Sequence, residues 1–98
     1  MRISFSPIRS DDDFSLERQG DTLLVNGFPL DFSDVAPGSS RSMTEWPASA
    51  LSADPERGAD GVLSIQLLLP HGPNAPSERL YPEPIFVALD GPIALPGS

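Results

Sequence analysis

The chain has 98 residues, the size of one domain, and an apolar fraction of 39%, enough for one modest core. Fourteen acids oppose six arginines scattered along the chain, which gives a net charge of −8. Nucleic acid and anionic membranes are therefore disfavoured as partners, because no basic stripe is present to neutralise phosphates. Lysine and cysteine are absent, which excludes Schiff-base lysines, thiol nucleophiles, disulfides and thiolate metal sites.

Twelve prolines and eight glycines make up about a fifth of the residues, a proportion that long helices do not tolerate. Short strands joined by many turns do tolerate it. The composition therefore predicts a single all-β domain over residues 1–98, with about six or seven short, mostly antiparallel strands in a sandwich or a rolled sheet. A chain of this size without disulfides also favours an oligomer or a complex over a solitary monomer.

The N-terminal part alternates between apolar and polar residues. Arg2–Ser6 is predicted to be a strand, and Pro7–Asp12 a polar connection. Asp13–Gln19 alternates again, and Thr22–Val25 is predicted to return antiparallel to it after a turn at Gly20-Asp21.

Asn26-Gly27 is the strongest local signal, because both residues accept the positive φ that a two-residue type I′ hairpin requires. This turn predicts that Val25 pairs with Phe28. Proline at position 29 removes a backbone donor that would point away from the hairpin partner, so Phe28–Phe32 is predicted to lie at or near a sheet edge.

The middle of the chain contains one strong strand. Ser42 to Glu45 has the spacing of a capping box, but Pro47 limits any helix to about one turn. Ala48–Glu56 is predicted to be a strand that Pro55 weakens. Val62–Leu69 is the best strand, with Leu63, Ile65, Leu67 and Leu69 on one face.

The C-terminal third is rich in proline. Pro70–Pro76 is predicted to be irregular, and the apolar stretch Ile85–Leu89 is predicted to be a strand buried on both faces. Asp90-Gly91 then turns the chain. Apolar runs are too short to span a bilayer and none is typical of a signal peptide, so a cytoplasmic location is expected.

His71, the only histidine, is the first candidate for chemistry. A Ser–His–Asp arrangement around it is conceivable, but the Gly-x-Ser-x-Gly elbow is absent. A zinc site would need His71 with carboxylates alone, an uncommon ligand set. The simplest interpretation is a turn residue in a loop stiffened by Pro70 and Pro73, and no catalytic residue, metal site or cofactor is predicted.

Trp46 and Tyr81 are the candidates for binding, since each stands beside a proline. Such an aromatic is either a binding anchor or a lid over the core of the sheet. If they bind a ligand, Trp46 and Tyr81 would line a pocket with His71 and Asn74 of the proline-rich loop.

Several segments together resemble a family of short proteins of unassigned function encoded among prophage tail genes of proteobacteria. The segments are Ile3-Ser4-Phe5-Ser6-Pro7, Val25-Asn26-Gly27, Asp31-Phe32, Leu69-Pro70-His71-Gly72-Pro73-Asn74-Ala75-Pro76 and Asp90-Gly91-Pro92-Ile93. The resemblance implies a genomic setting and assigns no role to any residue.

Three functions are compatible with these patterns. The first is a non-enzymatic structural or interaction protein, a phage-tail accessory or assembly component that binds tail proteins or itself, in the cytoplasm or in a phage particle. The second is a small-molecule or carbohydrate binding module that uses Trp46, Tyr81 and the His71 loop. The third, and least supported, is an enzyme centred on His71.

Overall fold

The computed structural model describes residues 1–10, 14–46 and 50–95. Over these ranges the chain forms nine strands and one short α-helix. They are β1 (Arg2–Arg9), β2 (Leu16–Gln19), β3 (Thr22–Val25), β4 (Phe28–Asp31), β5 (Ser39–Ser40), β6 (Glu56–Arg57), β7 (Leu63–His71), α1 (Ser77–Leu80), β8 (Ile85–Phe86) and β9 (Gly91–Pro92). Sheet A has the order β5-β6-β7-β1-β8, and sheet B has the order β4-β3-β2-β9.

The two sheets share one hydrophobic core. Sheet A contributes Ile3 and Phe5 from β1 and the alternating apolar residues of β7, while sheet B contributes buried leucines such as Leu23 and Leu30. This confirms the all-β, single-domain prediction. The strands exceed the expected six or seven because β5, β6, β8 and β9 are pairings of only two residues each.

β1 and β7 form the centre of sheet A, and they run parallel. Their register places Ile3 beside Ile65 and Phe5 beside Leu67, so that the apolar residues of both strands face the core. A parallel pair needs a crossover connection, and here the connection contains most of sheet B. The other pairings among the named strands are antiparallel.

The predicted hairpin is confirmed. β3 and β4 pair with Val25 opposite Phe28, and both turn residues have positive φ, 53° at Asn26 and 80° at Gly27. β4 is the edge strand of sheet B, as Pro29 indicated.

Two half-buried arginines connect the sheets. Arg57 on β6 donates to the carbonyls of Val35 and Gly61, and its guanidinium lies 3.2 Å from Asp21 in the β2–β3 turn. Arg18 on β2 donates to the carbonyl of Val87, directly after β8, over 2.7 Å. Both guanidinium groups thus satisfy backbone oxygens where the sheets meet.

Two proline-rich segments are more regular than predicted. β1 continues through Pro7 to Arg9, and β7 continues through Pro70 to His71, so the expectations of a connection from Pro7 and an irregular segment from Pro70 were wrong at these positions. Proline is compatible with extended backbone near a strand end. Positions 11–13, at the end of the predicted connection and the start of the next predicted strand, lie outside the described ranges.

The segment before β6 is less regular than predicted. Leu51 makes an isolated antiparallel bridge with Leu67, and a regular strand exists only at Glu56–Arg57. Positions 48 and 49 lie outside the described ranges. The helical turn after Ser42 is confirmed as one turn of 3₁₀ helix over Met43–Glu45, with the Ser42 hydroxyl accepting from the Thr44 N–H.

The prediction of a buried strand over Ile85–Leu89 was wrong. Only Ile85 and Phe86 pair with β1, and Phe86 and Leu89 are 75% and 80% exposed. A short apolar run does not reveal whether its second face is covered. Nowhere in the described part of the chain is there a helix with the length and apolar character needed to cross a membrane.

Candidate functional site

Trp46 closes the core beside β4. Its ring lies 5.0 Å from that of the fully buried Phe32, centroid to centroid, at an interplanar angle of 37°. Its indole N–H donates to the carbonyl of Asp31 over 3.0 Å. An indole with its polar atom satisfied and its face packed on a core residue is a lid of the core.

Two carboxylates belong to residues beside Trp46, since Glu45 precedes it in sequence and the backbone carbonyl of Asp31 accepts from its indole. The Asp31 carboxylate accepts from the Ser33 N–H over 2.9 Å, and hydrogen bonds from Ser33 lower the pKa of Asp31. Arg41 and Glu45 form a two-pronged ion pair. The hydrogen bonds that Arg41 donates to Glu45 lower the pKa of Glu45 and raise the pKa of Arg41. Both carboxylates are therefore stabilised in their charged forms.

His71 and Asn74 lie where β7 ends and the chain turns toward α1. The His71 carbonyl accepts from the Ser10 N–H over 3.0 Å, and its ring Nδ1 lies 3.2 Å from the carbonyl oxygen of Gly72. Asn74 is exposed in the turn that follows. His71 is thus the last residue of β7, opposite Arg9, and the prediction that it is a turn residue was wrong.

Tyr81 follows α1 and is 80% exposed. Its backbone N–H caps the helix by donating to the Ser77 carbonyl, and its phenol ring lies in solvent. Within residues 1–10, 14–46 and 50–95, no ring contact or hydrogen bond joins Tyr81 to Trp46. The four residues predicted for binding are thus divided between a core lid (Trp46) and the segment after β7 (His71, Asn74 and Tyr81).

The most exposed apolar residues cluster in the sequence around β8. Six large hydrophobic side chains are exposed over the described ranges, and the three most exposed, at 75–80%, are Tyr81, Phe86 and Leu89. They lie within nine consecutive positions, and Phe86 is in β8, an edge strand of sheet A. We define these three side chains, with the open edge of β8 at Phe86, as the β8 surface.

The sequence interpretation missed Phe86 and Leu89 because Ile85–Leu89 looked like a buried strand. Pro82 and Pro84 before it, and the turn at Asp90 after it, leave little length for a central strand. These two prolines and this turn were the sequence features that could have indicated a short edge strand with an exposed face.

A separate polar groove of about 570 Å³ lies beside β6. It is lined by Gly38, Ser39, Ser40, Glu56, Arg57, Gly58, Asp60, Val62 and Ser64. Arg57 already binds backbone carbonyls and Asp21, so the groove is bounded by side chains engaged in the fold. None of the four predicted binding residues lines it.

Among the residues that the structure describes, no cluster of three or more histidine and carboxylate side chains could hold a metal ion. Comparison of the chain with protein-family models, with curated proteins and with solved structures found no match.

Proposed function

We propose that this chain is a non-enzymatic structural or interaction protein that binds a protein partner through the β8 surface. The observation that carries the proposal is the 75% exposure of Phe86 on an edge strand, between the 80% exposed Tyr81 and Leu89. Aromatic side chains dominate the binding energy of protein interfaces, and an open sheet edge accepts a partner strand.

The resemblance to prophage tail proteins supplies the setting. In that setting the chain serves a phage tail as an accessory or assembly component, and its partners are tail proteins. The acidic charge of −8 keeps such a small protein soluble while it presents an apolar surface.

The test is a comparative pull-down from the native host after prophage induction, with the tagged chain at native expression. The wild type, Phe86→Asp and Phe28→Asp are compared by mass spectrometry. Phe28 is the matched control, since it is a 57% exposed phenylalanine on β4, the edge strand of sheet B. We expect tail or baseplate proteins with the wild type and Phe28→Asp, and their loss with Phe86→Asp. Recovery that is equal for all three proteins, or absent for the wild type, contradicts the proposal.

A further inference from the structure

We propose that the occupant of the β8 surface is an extended, basic segment of another protein, which adds to sheet A as a strand beside β8. This inference rests on the proposed protein-binding function and specifies the chemistry of the partner. It follows from the backbone of β8, from the side chains around it and from their charge.

The backbone of β8 has its hydrogen-bonding groups arranged for such a strand. Met1 and Val87 exchange two hydrogen bonds, of 3.2 Å and 2.8 Å, and the neighbouring pair is Arg2 with Phe86. In an antiparallel ladder hydrogen-bonded pairs alternate with non-bonded ones. The N–H and C=O of Phe86 therefore point away from β1, toward the side of β8 where the described residues add no further strand to sheet A.

The residues before and after β8 in the sequence combine apolar area with negative charge. Tyr81, Phe86 and Leu89 are interspersed with the exposed acids Glu78, Glu83 and Asp90. Asp90 accepts from the Gly20 N–H and keeps a side chain that is 66% exposed.

Arg18 neutralises one of these acids, since its Nε lies 3.9 Å from a carboxylate oxygen of Asp90. The exposed Arg2 lies opposite Phe86 on β1, on the other side of β8 from the open edge. Within the described ranges, Glu78 and Glu83 form no ion pair. An extended segment that alternates apolar and basic residues would place its apolar side chains beside the β8 surface and its cations near these acids.

A second copy of the chain fits this edge less well. Two copies would each bring a net charge of −8, which opposes their association. A two-fold pairing centred on Phe86 would also place Pro84, which has no N–H, within the same short ladder. A basic foreign segment avoids the charge repulsion and meets the missing N–H of Pro84 once, whereas a two-fold pairing meets it twice.

The test uses two dye-labelled eight-residue peptides, one alternating arginine with valine and one alternating glutamate with valine, titrated with the full chain by fluorescence anisotropy. We expect the basic peptide to bind at least about tenfold more tightly at low salt, with the ratio falling as salt is added. Amide hydrogen exchange should slow at Phe86 when the basic peptide is bound.

Two charge-reversal variants show which part of the chain is responsible for the preference for the basic peptide. Glu83→Arg should reduce the ratio between the peptides, whereas Asp34→Arg, an equal change in the loop after β4, should leave it near the wild-type value. Equal affinity for both peptides overturns the inference, as does self-association of the chain that Phe86→Asp abolishes. If neither peptide binds but the pull-down still depends on Phe86, the inference fails and the proposed function stands; if that dependence is also absent, both fail.

Discussion

The edge strands β4 and β8 each carry an exposed phenylalanine, but they differ in their outward-facing backbone groups. Two such positions are blocked on β4, whereas the N–H and C=O of Phe86 on β8 are not, and we call β4 the closed edge and β8 the open edge. In the hairpin, Val25 and Phe28 are a hydrogen-bonded pair, so the backbone groups of Pro29 and Asp31 point outward. Pro29 has no N–H, and the carbonyl of Asp31 accepts from Trp46. On β8 the outward position is Phe86, whose N–H and C=O both face the open side.

This difference shows how a small β protein can direct association to one edge. Edge strands invite pairing with other chains, and proline or a covering side chain blocks it. β4 has both kinds of block within three residues, Pro29 and the indole of Trp46. β8 is shortened by Pro82 and Pro84 but retains one complete backbone donor and acceptor at Phe86. The exposed aromatic on the open edge is therefore the better candidate for function.

The largest expected effect concerns the core that supports the closed edge. Phe32 is fully buried against Trp46, so Phe32→Ala should lower the free energy of unfolding by about 3–5 kcal/mol. That is a large part of the roughly 5–15 kcal/mol that stabilises a domain. Chemical denaturation followed by far-UV circular dichroism measures it.

Two exposed phenylalanines are the controls for Phe32→Ala. Phe28→Ala and Phe86→Ala should each change the free energy of unfolding by less than about 1 kcal/mol, because both rings are mostly in solvent. A loss at Phe86 comparable to that at Phe32 would mean that the β8 ring is structural, and the contrast between the two edges would be lost.

A second prediction removes one of the blocks on β4. Pro29→Val restores an outward N–H on this edge strand, and valine is compatible with extended backbone. We expect the variant to remain folded and to self-associate at concentrations where the wild type does not, as measured by sedimentation velocity. Pro84→Val, on the other edge, is the matched comparison. If Pro29→Val sediments like the wild type, the proline is not what protects β4.

Local signals in the sequence predicted β4 better than β8 because the turn chemistry of β4 is contained in neighbouring residues. Asn26-Gly27 determines the register of the hairpin, and Pro29 indicates its edge position without reference to the rest of the chain. The alternation in β7 likewise predicted its buried face, since one side chain in two meets the core.

The features that were not predictable depend on distant parts of the chain. Nothing near β1 shows that its neighbour is β7, about sixty residues later, or that the two run parallel. The exposure of Phe86 follows from its position opposite the exposed Arg2, on the face of sheet A that does not meet the core, and this pairing joins residues far apart in the sequence. Trp46 posed a similar problem: its neighbour Pro47 was visible, but its contacts with Asp31 and Phe32 arise from folding of the intervening loop.

The smallest expected effect is a dependence of the closed edge on pH. The pKa values of Asp31 and Glu45 are lowered in the folded chain by hydrogen bonds from Ser33 and Arg41. On acidification the unfolded state therefore takes up protons first, so the stability from these groups is present above their usual pKa values, 3.8 and 4.5, and is lost as pH falls through the lowered ones. Both carboxylates are exposed, so the loss should be small.

The measurement is the fluorescence of Trp46, the only tryptophan, between about pH 6 and pH 3. We expect its emission to shift as the pH falls below the usual pKa of Glu45, while the far-UV circular dichroism of the sheets changes later. Asp31→Asn removes one of the titrating groups and keeps an oxygen that can accept from Ser33, so the acid-induced shift should shrink. If Asp31→Asn and the wild type shift by the same amount, ionisation of the Asp31 carboxylate does not affect the position of the indole. The closure of β4 would then depend on Pro29 and the packing of Phe32, and it would persist in acid.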